Sequence, residues 1–111
     1  MKYSIKSRIW IEADGKIVLG EGRVQLLKAI AAEGSLSKAA KTIGMSYKKA
    51  WSLLDMMNTR SSSPLVVTNV GGKGGGGAQL TPHGESLVRV FETINEQCWK
   101  FLDDQLAQNQ L

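Results

Sequence analysis

A single cysteine, Cys98, rules out a disulfide within the chain, and with His83 as the lone histidine no tetrahedral set of zinc ligands can be assembled from one copy. No stretch approaches the roughly 20 consecutive apolar residues of a membrane span, and the start MKYSIKSRIWIE alternates polar with apolar residues where a signal peptide would build an apolar core. A cytoplasmic protein with no metal, no cofactor and no membrane partner is expected. Acids are almost missing from the middle. Residues 34–84 carry Lys38, Lys41, Lys48, Lys49, Arg60 and Lys73 against Asp55 alone, a net charge of +5, whereas residues 85–111 carry a net charge of −3. A basic segment backed by an acidic one fits a nucleic-acid face, although a solvated charge pattern with no partner would look alike.

What is present suits a small ordered protein. The 111 residues are 42% hydrophobic and 22% charged, enough for one domain with a modest core, 1–111, and too short for two ordinary ones. A mostly α chain with a small β component is expected. At the start, apolar Tyr3, Ile5, Ile9 and Ile11 fall on odd positions and predict a strand with one buried face. Asp14-Gly15 supplies hairpin-turn chemistry and Ile17–Leu19 a returning strand, so 1–19 reads as a β-hairpin with Trp10 on its polar face.

Residues 22–58 read as three helices. The first has Val24, Leu27, Ile30 and Ala31 at helical spacing and stops at Gly34; the next two are capped by Ser35 or Ser37 and by Ser46, with a short break at Gly44-Met45. Two helices meeting steeply need small residues where their backbones approach and a turn residue tolerant of positive φ. Ala39 and Ala40, then Gly44, then Ala50 and Leu53, with Ile43 and Met45 beside the turn, meet those needs and predict a helix-turn-helix; an ordinary αα-hairpin is the alternative. With Ala50, Leu53, Leu54 and Met57 facing inward, the second helix presents Ser46, Tyr47, Lys48, Lys49 and Ser52, cations and hydroxyls suited to phosphates and base edges in a major groove. Trp51 could pack under the following hairpin or reach a DNA backbone.

The segment NVGGKGGGGAQLT formally contains the dinucleotide pattern GxGxxG. Its context fails: no βαβ unit surrounds it, and a P-loop would need Gly where Val67 stands and Ser or Thr where Gly74 stands. An enzyme is not expected. The strand-like LVVTNV and AQL flanking the glycines instead predict a wing over 65–81, whose tip, Gly72, Lys73 and Gly74, offers backbone N–H groups and a charge to DNA phosphate. Thr81-Pro82 then caps a final helix over 83–106, in which Leu87, Phe91, Ile94, Cys98 and Phe101 form a stripe, widened by Val88 and Leu102.

The run GSLSKAAKTIGMSYKKAWSLLDMMN followed by VGGKGGGGAQLTPHGESLV closely resembles the N-terminal DNA-binding domain of the ModE-type molybdate-responsive regulators, a winged-helix group similar to the N-terminal domains of LysR-type regulators. The resemblance spans roughly 23–101. It implies a winged helix-turn-helix transcriptional regulator with the helix from Ser46 as recognition helix, the glycine segment as wing, and the last helix as a dimerisation helix joining two copies. Double-stranded DNA and a second copy of the chain are the implied partners, and molybdate-uptake genes the implied targets. Family members continue into molybdate-binding domains, so molybdate binding is not expected of these 111 residues. A winged helix used purely for protein–protein interaction, and a redox switch through Cys98, are the competing readings.

Overall fold

The computed structural model describes residues 1–69, 76–109 and 111. Two short strands, β1 (Trp10–Ala13) and β2 (Lys16–Gly20), precede three helices, α1 (Glu21–Glu33), α2 (Leu36–Thr42) and α3 (Tyr47–Arg60). Strands β3 (Val66–Thr68) and β4 (Ala78–Leu80) follow, and α4 (Pro82–Gln108) ends the fold. Each strand pair is antiparallel and forms its own two-stranded sheet. Helix-turn-helix, then hairpin, then long helix is a winged helix with an added N-terminal β-hairpin.

The N-terminal hairpin begins later than its alternation suggests. Its turn is as expected, with Asp14 at φ 52° and Gly15 at φ 79°, the left-handed pair that a tight two-residue turn requires. The ladder, however, runs only from Ala13↔Lys16 to Trp10↔Gly20, with an irregularity between Ile11 and Glu12. Beyond Gly20 the partner chain turns into α1, so Tyr3 to Ile9 have no strand to pair with. They form an arm outside the sheet, with Tyr3 and Ile5 exposed, while Ile9 and Ile11 pack against the core.

Helix α1 is central. It touches β2, α2, β4 and α4, so it buries Leu26 and Ala29 as well as Val24, Leu27 and Ile30. Ala31, expected on the inner face, is exposed. The helix stops where Gly34 takes φ 72° and its N–H bonds to the Ile30 carbonyl at 2.8 Å. Gly34 also ties down the wing: its carbonyl accepts from the Ala78 N–H at 2.9 Å.

The start of α4 is fastened by direct backbone approach. Thr81 Oγ1 accepts from the Gly84 N–H at 3.0 Å and donates to the Pro64 carbonyl at 2.7 Å, while the Thr81 N–H reaches the Leu65 carbonyl at 2.9 Å. Gly84 packs so closely that a Cβ there would collide with the Leu65 carbonyl oxygen and lie 3.0 Å from its carbon. Val88 and Phe91 continue that contact into the core. Past Phe91 no described residue of α4 is buried, although the helix runs 17 residues further. This overhang gives the molecule its extent of 60 × 30 × 21 Å.

Candidate nucleic-acid interface

The helix-turn-helix is built as its residue types require. Ser35 Oγ caps α2 by accepting from the Lys38 N–H, and Ser46 Oγ caps α3 by accepting from the Lys49 N–H, both at 3.1 Å. Between them Gly44 sits at φ 70°, and the Met45 N–H reaches back to the Ala40 carbonyl at 2.8 Å. Ala39, Ala40 and Ala50 are 0%, 2% and 0% exposed, so small side chains are enclosed where the helix-turn-helix packs. A longer side chain at any of the three would force the helices apart.

Burial of Ala50, Leu54 and Met57 fixes the rotation of α3. At the start of the helix Ser46, Tyr47, Lys48 and Lys49 are exposed to solvent, with Lys48 and the half-buried Ser52 on the side away from the core. Tyr47 is 57% exposed. Ser46 has two uses, because its oxygen accepts the cap bond while its hydroxyl hydrogen stays available to donate. Among the described residues the one ion pair is Lys28 Nζ to Glu92 Oε2 at 2.7 Å, between α1 and α4. No lysine of α2 or α3 forms an ion pair with a described acid.

Trp51 lies one turn beyond Tyr47 and is 53% exposed. It borders a groove between α3 and the root of the wing, together with Tyr47, Asp55, Thr68, Asn69 and Gly77. It thus stands beside the described residues of the hairpin and is not covered by them. The wing root is held to α3 by Asn58, whose Oδ1 accepts from the Leu65 and Val66 N–H groups at 2.8 and 3.2 Å and whose Nδ2 donates to the Val66 carbonyl at 3.0 Å. The wing tip residues Gly72, Lys73 and Gly74 lie outside the described residues. Asp55 and the wing-root residues Thr68 and Asn69 are groove neighbours that residue type alone did not flag. The i, i+4, i+8 spacing of Tyr47, Trp51 and Asp55 was the signal that could have placed Asp55 on the Tyr47 side of the helix.

At the far end of α3, Arg60 donates to the Ile17 carbonyl at 2.9 Å and closes the helix against β2. Burial, and secondly the nearby Arg60 charge, lower the proton affinity of Arg23 from the usual guanidinium range. These two arginines sit by the N-terminal hairpin, away from the capped start of α3.

The apolar stripe of α4 divides. Phe91, expected to face a second copy, is 2% exposed and belongs to this chain's own core, and Leu87 packs partly against the same core. Cys98 is half-buried, with its sulfur 3.7 Å from Ser7 Oγ of the N-terminal arm, and Lys6 Nζ lies 5.2 Å from the Trp99 ring centre. The arm thus runs beside one flank of α4. Ile94 and Phe101 are uncovered at 50% and 61%, joined by Val90 at 43%. At about 100° per residue these three fall within roughly 40° of each other around the helix. Among the described residues no group of three or more His, Cys, Asp or Glu could hold a metal, and no helix is long and apolar enough to cross a membrane.

Comparison with known proteins agrees with this architecture. The family model of the bacterial regulatory helix-turn-helix proteins, lysR family, matches residues 22–85, which is more than half of the chain. The chain is 39% identical over 97 residues to the molybdenum transport protein ModE of Azotobacter vinelandii, covering 87% of this chain and 36% of that protein. It is 46% identical over 85 residues to the transcriptional regulator ModE of Yersinia pestis, covering 74% and 32%. To the DNA-binding transcriptional dual regulator ModE of Escherichia coli K12 it is 42% identical over 88 residues, covering 79% and 34%. The chain spans about a third of the length of these relatives.

Proposed function

The chain belongs to the lysR family of bacterial regulatory helix-turn-helix proteins, and from that membership we propose that it is a cytoplasmic transcriptional regulator that binds double-stranded DNA as a homodimer and performs no catalysis. The observation that carries the reading is the start of α3, where Tyr47, Lys48 and Lys49 stand exposed on a rigid, capped helix with no described acid paired to them. Such a helix end suits the major groove, with Lys48 and Lys49 serving phosphates and base edges and Ser46, Tyr47 and Ser52 supplying shorter-range hydrogen bonds. The wing beyond Asn69, with Gly72, Lys73 and Gly74, would lie along the adjacent backbone.

The second copy would dock on the uncovered stripe of α4. Ile94 and Phe101, with Cys98 at the margin, serve that contact from the expected set; Val90 joins them, and Phe91 and Leu87 act from beneath by holding the helix in place. A symmetric pair would bring two recognition helices to successive major grooves, about 34 Å apart. The ModE relatives support genes of molybdate uptake as targets, and molybdate itself is not assigned to these residues. The test is DNA binding across a salt series. Lys73→Ala should weaken binding about equally on all sequences and reduce the salt slope by roughly one, while Ser46→Ala or Lys48→Ala should relax sequence preference. Unchanged discrimination in both of the latter would reject the groove assignment.

A further inference from the structure

The stripe that α3 turns toward the wing root is Tyr47, Trp51 and Asp55, all exposed and all bordering the same groove. Asp55 is the lone acid of residues 34–84. Among the described residues its carboxylate makes no hydrogen bond and no ion pair; its backbone carbonyl, not its side chain, accepts from Thr59. It lies eight residues past Tyr47, about 12 Å along the helix, within the reach of a recognition helix laid in a major groove. A carboxylate in that position is repelled by every nearby phosphate, so it weakens binding to DNA in general. A hydrogen-bond donor on a base can offset that repulsion.

An ionised carboxylate accepts hydrogen bonds and donates none. In the major groove cytosine presents the N4 amino donor with no acceptor beside it, whereas adenine adds an N7 acceptor, guanine presents N7 and O6, and thymine presents O4. Resting on the DNA-binding reading above, we propose that Asp55 is a specificity-determining residue that accepts a hydrogen bond from the N4 amino group of a cytosine beneath the second half of α3. The other three bases each place an acceptor near its charge and are disfavoured on the strand that it faces, adenine least because its N6 amino group can still donate. Trp51, one turn earlier, walls the groove on the same side.

The test is selection of bound DNA from a random pool at fixed salt, run in parallel on the unaltered chain, Asp55→Asn and Asp55→Ala. The unaltered chain should enrich cytosine roughly tenfold at one position of each half-site. Asn can bond both N6 and N7 of adenine, so Asp55→Asn should move that one position from cytosine to adenine, and Asp55→Ala should leave it without preference. Both variants should bind random DNA more tightly, and because the side chain is exposed both should keep the parent's circular dichroism. If all three proteins enrich the same bases and the variants only bind more tightly, Asp55 acts through charge alone and the inference is overturned while DNA reading stands. If the unaltered chain enriches no sequence and its affinity ignores salt, the DNA-binding reading itself fails.

Discussion

The first ten residues of α4 and the last seventeen are one continuous helix with one apolar periodicity, yet they meet opposite surroundings. The first part is capped by Thr81, pressed at Gly84 against the Leu65 backbone and sealed by Val88 and Phe91 in the core. The second part buries nothing fully and leaves Ile94 and Phe101 half to two-thirds open, tied to α1 at its start by the Lys28–Glu92 pair and flanked by the N-terminal arm. The difference teaches that an amphipathic stripe records how much apolar surface a helix must hide, and says nothing about which molecule hides it. Burial within the chain fixes the direction of the helix. Uncovered surface further along is then available to a second copy.

Substitutions on either side of that division should behave differently. Phe91→Ala, which empties a fully enclosed site, should lower stability by about 4 kcal/mol, read as an unfolding midpoint that shifts regardless of protein concentration. Gly84→Ala should lower it by roughly 3 kcal/mol, because the new methyl meets backbone that cannot move aside; urea denaturation would show it, and an unchanged midpoint would mean that α4 is not seated on Leu65. Removing the Asn58 clamp by Asn58→Ala should cost about 2 kcal/mol, since the wing-root N–H groups lose their acceptor. At the small end, Phe101→Ala should change the stability of the isolated monomer by less than about 0.5 kcal/mol while shifting the dimer toward monomer in sedimentation equilibrium. A Phe101→Ala protein that loses stability as Phe91→Ala does would erase the contrast between the two halves.

The helix-turn-helix was legible from sequence because its determinants are local. Gly44 between two helical periods, serines at both caps and alanines at the crossing each act within a few residues, so no distant partner decides the outcome. The N-terminal strand was less legible. Its alternation is genuine, but a strand needs a neighbour, and the ladder ends where β2 turns into α1 at Glu21. Ala31 and Phe91 went astray for a related reason, since helical spacing gives a face and tertiary packing gives its rotation and its limits. In the candidate interface, residue type pointed to Lys48 and Lys49 directly. That Thr68 and Asn69 lie beside Asp55 and Trp51 depends on how the wing root folds back on α3, where Asn58 holds Leu65 and Val66, and the helical spacing of α3 does not encode it.

The central claim is that two capped recognition helices, joined through the far half of α4, read one DNA site together. Hydroxyl-radical footprinting on a DNA enriched from a random pool tests it most directly. The account predicts two protected patches related by two-fold symmetry and separated by about one helical turn, roughly 10 base pairs or a multiple of it. A single unsymmetric patch, or protection that is the same on every sequence, would contradict it.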